Sequence, residues 1–271
     1  MAATTQTPAV RTGVRPQVTL RRVLAAEWDK LTSLRATGWL ALATVAAAAA
    51  SAWALGLFVR PDDGASGAPV AVAGYVLAQL GFLVLGATTG AGEFRTGTAR
   101  VTFVAVPRRI PVLLAQVLVT TAAAALTAAV ALGAALAAPR AATGLVLDVA
   151  DPETARLLGG FVLYQTGVAL VGLGLGALLR RPDAALVTGV VLVVVLDHLL
   201  ATNPGRVADT ARALLPGVGT RLLQGDERLA ALDATTLGPH LGPWAAGLVL
   251  AAWAAVLLVA AGYRLRRRDV T

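Results

Sequence analysis

Cysteine is absent from the 271 residues, which excludes a disulfide framework, a thiolate nucleophile and a cysteine metal site. Charge is scarce. Only 14% of residues are Asp, Glu, Lys or Arg, against roughly 25% in an ordinary soluble domain. Histidine occurs twice, as His198 and the distant His240, so no ligand cluster for zinc or a di-metal centre can be drawn. The sole lysine, Lys30, sits in Trp28-Asp29-Lys30-Leu31 and not behind a glycine-rich turn. A P-loop needs Gly-Lys-Ser/Thr to cradle phosphates, so ATP hydrolysis by that route is excluded. No G-x-S-x-G elbow occurs either. These absences predict a chain that is not an enzyme, with no catalytic residues, no metal and no cofactor of its own.

What is present is oil. Hydrophobic residues make up 57% and the mean hydropathy is +0.73. A spanning helix needs about 20 apolar residues to cross roughly 30 Å of hydrocarbon. Six stretches meet that length: Gly38 to Val59, Pro69 to Gly90, Ile110 to Ala138, Leu157 to Leu179, Ala184 to Ala201 and Pro243 to Tyr263. The predicted fold class is therefore all-α, a polytopic integral membrane protein with six transmembrane helices.

The amino-terminal part differs. Residues 1–16 are small, polar and proline-containing without an apolar period, and predict a disordered cytoplasmic tail. The first apolar run begins too late and runs too long for a cleavable signal peptide, so it reads as an uncleaved first span. Between the two, residues 17–36 place Leu20, Val23, Leu24, Leu31 and Leu34 at helical spacing, with Arg21, Arg22, Asp29 and Lys30 mostly elsewhere. That stripe is too narrow to cross a bilayer and predicts an amphipathic interfacial helix carrying Trp28 at head-group depth. Residues 37–271 form the six-span domain.

Orientation follows from the basic residues. Arg60, Arg140, Arg156, Arg206, Arg212, Arg221 and Arg228 fall on one side of the six spans, and the remaining sixteen of the 23 Lys and Arg fall on the other. The positive-inside rule puts the richer side, with both chain ends, in the cytoplasm. The net charge of +8 lies beside the spans, facing membrane lipid, and no aromatic-rich basic segment exists to stack on bases, so nucleic acid is excluded as a partner. The excess of arginine over lysine, with abundant alanine, matches the coding bias of a GC-rich bacterial genome and predicts a bacterial cell membrane.

Four features stand out. Gly86 and Gly90 in the second span, and Gly172 and Gly176 in the fourth, are each four apart on one helix face and predict close helix packing. Asp197 is the only acid drawn inside the hydrocarbon, and with His198 near the outer end of the fifth span it is a candidate pathway residue, or a partner for His198 or an outer-loop arginine. The outer stretch from Thr202 to Gly242 is long enough to contain short helices of its own. Finally, Glu93-Phe94-Arg95-Thr96-Gly97-Thr98-Ala99-Arg100 followed by Pro107-Arg108-Arg109 forms a polar segment suited to a soluble partner, with Phe94 as apolar anchor.

Glu27-Trp28-Asp29-Lys30-Leu31 with Ser33-Leu34-Arg35, and Glu93-Phe94-Arg95-Thr96-Gly97-Thr98 with Pro107-Arg108-Arg109, resemble two motifs of the type 2 ATP-binding cassette permeases of bacterial exporters. The resemblance implies a permease subunit whose interfacial helix carries Glu27, Trp28, Lys30, Leu31 and Arg35. It implies a coupling segment, Glu93 to Arg100, docked on cytoplasmic ABC ATPase subunits that hold the ATP and Mg. It further implies a second permease copy or a homologous permease, and an external gate before the sixth span. Two other readings of the residues remain at this point: a non-transporting membrane anchor or sensor, and an ion-coupled secondary transporter.

Overall fold

The computed structural model describes residues 19–59, 67–96, 109–143, 148 and 150–267. The chain is an all-α polytopic membrane protein, and among the described residues there is no strand. Six helices are long and apolar enough to cross a membrane.

Helix α1 (Leu20–Ser33) turns into α2 (Arg35–Gly56) through Leu34 alone, whose backbone is extended. Val23 and Glu27 are the buried residues of α1, and Val23 packs on Val112 and Ala115. Leu20 and Leu34 of the expected apolar stripe are exposed instead, at 51% and 60%. The face of α1 turned to protein is thus the line Val23, Glu27 and Leu31, with an acid in its middle.

The second span departs most from its expectation. The stretch drawn as Pro69 to Gly90 is two helices, α3 (Gly67–Val72) and α4 (Tyr75–Thr96), separated by a turn at Ala73 and Gly74. A Cβ on Gly74 would lie 2.5 Å from the Ala48 carbonyl oxygen, so the break sits where backbone meets backbone. Hydropathy is blind to such a turn because both halves are equally apolar.

Helix α5 (Arg109–Thr143) outruns its expected end at Ala138. Helix α6 (Pro152–Leu179) starts earlier than Leu157, since the Asp151 carboxylate accepts the Thr154 N–H at 2.9 Å and Pro152 presets the first turn. That bond, with the Thr154 hydroxyl, also holds the Asp151 carboxyl below its usual range. Helix α7 (Pro182–Ala201) contains a π turn at Val191–Val195, in which the Leu196 N–H reaches the Val191 carbonyl. The expected short helices of the following stretch are α8 (Arg206–Leu214), a 3₁₀ segment (Pro216–Leu223) and α9 (Asp226–Thr235). Helix α10 (Pro243–Arg267) closes the bundle.

Helix α6 is the axis of the fold, with buried residues recurring from Leu157 to Ala177 where it packs against α3, α4, α5, α7 and α10. Its seam with α4 is made of glycine. A Cβ on Gly172 would meet the Leu83 carbonyl oxygen at 2.6 Å and one on Gly176 the Ala87 oxygen at 2.5 Å, while Gly86 and Gly90 face the Ala169 and Leu173 carbonyls in return. In lipid, where tails are as apolar as leucine, such close backbone approach supplies the dispersion contact that drives helices together. The remaining apolar bulk, including Trp39, Leu248 and Val259, stays exposed at 70%, 71% and 71%, the surface a bilayer would cover.

Two ends of the bundle differ in chemistry. At one end, Leu113, Ala177, Ala261 and Leu265 cluster, the Arg264 guanidinium donates to the Leu178 carbonyl, and α1 lies across α5. Arg180 terminates α6 there in a left-handed conformation (φ 61°), its N–H on the Gly176 carbonyl at 2.8 Å. At the other, α8, the 3₁₀ segment and α9 form a cap.

Candidate functional site

The capped end gathers most of the polar chemistry of the described residues. The 3₁₀ segment starts with Pro216 and has Gly217 and Gly219 in its first turns, so it is slim enough to enter between helices. Pro216 to Gly219, Leu222 and Leu223 are all buried. Three glycines of the segment and its neighbours set the depth: a Cβ on Gly160 would lie 2.6 Å from the Leu222 carbonyl oxygen, one on Gly219 3.0 Å from Leu250, and one on Gly217 2.8 Å from the Val193 carbonyl oxygen. The segment is therefore a wedge between α6, α7 and α10.

Ion pairs fasten the wedge from outside. Arg212, at the end of α8, donates from Nε to Asp197 Oδ1 at 2.9 Å and from Nη2 to Oδ2 at 3.4 Å, which ties the cap to α7. Arg221 Nη2 meets Asp233 Oδ1 at 2.6 Å, tying the wedge to α9. Arg156 of α6 forks onto the Gln224 carbonyl, both nitrogens at 3.1 Å, and reaches Asp226 at 2.7 Å. The Asp226 N–H in turn donates to Glu153 at 3.0 Å. Asp209, only 8% exposed, accepts the Leu237 N–H at 2.8 Å, and the Trp253 indole N–H donates to the Leu214 carbonyl at 2.8 Å.

A cavity of about 290 Å³ opens among these groups, lined by Asp197, Asp209, Arg212, Arg221, Arg228 and Tyr75. Guanidinium groups outnumber carboxylates on its wall. Behind Tyr75 the polarity continues into the bundle. The Tyr75 and Tyr164 rings meet edge to face at 5.7 Å, the Tyr164 hydroxyl donates to Gln79 Oε1 at 2.7 Å, and Gln165 Nε2 reaches the Tyr75 carbonyl at 3.4 Å. Gln165 Oε1, on a fully buried side chain, has no partner. This thread of amides and phenols starts at the break between α3 and α4.

Asp197 and His198 both line this cavity, but Asp197 pairs with Arg212 of the cap and not with His198. Arg212, Tyr75, Gln79, Tyr164 and Gln165 were not singled out by the sequence. The amides carried a usable signal, since an uncharged polar side chain inside an apolar span needs an interhelical partner. Arg212 is the outer-loop arginine that the sequence offered Asp197 as one possible partner, although which outer arginine it would be carried no signal, because the two lie in different helices.

The other expected residues cluster at the opposite end. Glu27 is 7% exposed and bonded to Lys30 at 2.6 Å, Trp28 is 40% exposed, Leu31 is half-buried, and Arg35 is the first residue of α2. Glu93, Phe94, Arg95 and Thr96 form the last turn of α4, and Arg109 the first residue of α5. Gly97, Thr98, Arg100, Pro107 and Arg108 lie outside the described residues, as does the expected tail 1–16. Among the described residues no three His, Asp or Glu side chains are grouped to hold a metal ion.

Neither family models nor curated proteins yield a match to this chain.

Proposed function

We propose that this chain is the permease subunit of an ATP-binding cassette exporter of the type 2 class, a multi-pass protein of the bacterial cell membrane with both termini in the cytoplasm. It forms a substrate pathway and takes its power from separate cytoplasmic ABC ATPase subunits, working beside a second permease copy or a related permease. Its cargo is an amphiphilic drug, lipid or peptide.

One observation carries the reading. The two motifs that resemble this family lie far apart in sequence, at residues 27–35 and 93–109, yet α1, the last turn of α4 and the start of α5 share the basic end of the bundle. A cytoplasmic motor pressing there acts on α4, whose glycine seam with α6 is a rigid backbone-to-backbone contact leading toward the wedge. On this reading the wedge and its ion pairs are the external gate. The engagement of Asp197 by Arg212 weighs against Asp197 as a free proton carrier in an ion-coupled transporter.

The test is co-expression with the product of a neighbouring ATPase gene. A stable complex, ATP-dependent transport and loss of coupling in Glu93→Ala or Arg95→Ala are expected, with no ATPase activity in the chain alone. Full transport in both variants removes the coupling assignment.

A further inference from the structure

A second concavity lies far from the cap. It holds about 600 Å³, within the range of roughly 300 to 1,000 Å³ common to ligand sites, and runs between α1, the start of α2 and the second half of α4. Its walls are apolar: Leu31, Leu40, Val84 and Leu85 line it, and Thr88 and Thr89 spend their hydroxyls on the Val84 and Leu85 carbonyls, at 2.7 Å each. At the α1 side the wall changes character, because Glu27 and Lys30 both line the groove with their charges 2.6 Å apart. Trp39 stands at the margin, 70% exposed.

The arrangement has the polarity of one lipid molecule. An apolar trough on spanning helices is bathed in acyl chains, and an interfacial helix puts its charges at head-group depth. The Lys30 ammonium, on a side chain 46% exposed, matches a phosphate. The Glu27 carboxylate beside it disfavours a head group with anionic charge alone and favours one that carries its own ammonium. A facing protein helix would bring apolar side chains against this ion pair, which is the poorer match.

We propose that the groove holds one zwitterionic glycerophospholipid, with its phosphate at Lys30, its ammonium toward Glu27 and one acyl chain along Leu31, Leu40, Val84 and Leu85. Such a lipid links α1 to the half of α4 that ends at Thr96. The site is independent of the transport reading, since it needs only the groove and a bilayer.

The full chain in detergent is titrated with phosphatidylethanolamine bearing brominated acyl chains, and the Trp39 share of fluorescence quenching is isolated by difference with Trp39→Phe. Saturable quenching is expected. Thr88→Phe, which fills the trough from an exposed position, weakens it about ten-fold, and Lys30→Ala about five-fold, the scale of one charge-assisted contact. Brominated phosphatidylglycerol binds about five-fold more weakly than the zwitterionic lipid. Quenching that rises linearly with lipid and is unchanged in both variants means ordinary boundary lipid and overturns the proposal. So does a Trp39 that stays unquenched in a chain migrating as a dimer, with Thr88→Phe restoring the monomer, because the groove is then covered by a second copy. Equal affinity for the two lipids overturns the head-group assignment.

Discussion

Helices α6 and α7 follow each other in the chain, separated only by Arg180 and Arg181, and both are apolar enough to cross a membrane, with mean hydropathies of 1.8 and 2.3. Their fates are opposite. In its 18-residue spanning window helix α6 has 61% of its residues buried and serves as the axis of the bundle, while the more hydrophobic α7 has 17% buried and lies at its edge. In water the greasier helix would take the core; in lipid, greasiness carries no such preference, and what earns an inside position is the capacity for close contact and polar pairing. Helix α6 has both, through Gly160, Gly172 and Gly176 and through Tyr164 and Gln165, whereas α7 offers mainly valine and leucine to the bilayer.

The comparison breaks most severely at the seam. Gly86→Ala drives a methyl group into the Ala169 carbonyl, and a loss of about 3 kcal/mol or more is expected in detergent unfolding. Val187→Leu on the exposed face of α7 should stay within about 0.5 kcal/mol of the parent. If the two variants unfold alike, the contrast between the helices is false.

A finer cut lies within α6 itself. Gly159 and Gly160 are neighbours, but a Cβ on Gly159 meets nothing within 4 Å, while one on Gly160 meets the Leu222 carbonyl oxygen at 2.6 Å. Gly160→Ala should cost about 2 kcal/mol by displacing the wedge, and Gly159→Ala should be neutral or slightly stabilising. The same unfolding measurement distinguishes them. Smaller again, Tyr164→Phe removes the donor to buried Gln79 and should cost about 1 to 2 kcal/mol, where Leu199→Ala on the lipid face of α7 should cost less.

The smallest effect joins α7 to the cap. Asp197 and Arg212 are partly exposed, at 15% and 29%, so a double-mutant cycle of Asp197→Asn with Arg212→Gln should return a coupling of about 1 kcal/mol, shrinking with added salt. A coupling near zero would reduce the pair to a surface contact and leave the wedge held by packing alone.

Much of this architecture was legible in the sequence. Six apolar lengths marked six crossings, the Gly-x-x-x-Gly spacings marked the seam, and Asp197 marked the one acid that needed a partner. Each is a signal local to one helix. The break at Ala73 and Gly74 was not legible, because it depends on the Ala48 backbone lying opposite. Nor was the burial of Glu27 in the protein-facing line of α1, which rests on how α1 rolls against α5. An outer-loop arginine was one of the two partners offered to Asp197, but the choice of Arg212 over the other arginines and over His198 was not legible, since it is made by where the cap folds, fifteen residues away.

The π turn at Val191–Val195 sets the heading of everything after it. An extra residue in one turn rotates the rest of a helix by about 100°, so in a regular α-helix Asp197 would point well away from its present direction. Restoring regular i→i−4 bonding through these valines with no residue removed would keep the hydropathy, the length and the sequence of the cap intact while turning the carboxylate away from Arg212 by about 100°. The lock and its key would both survive, no longer facing each other.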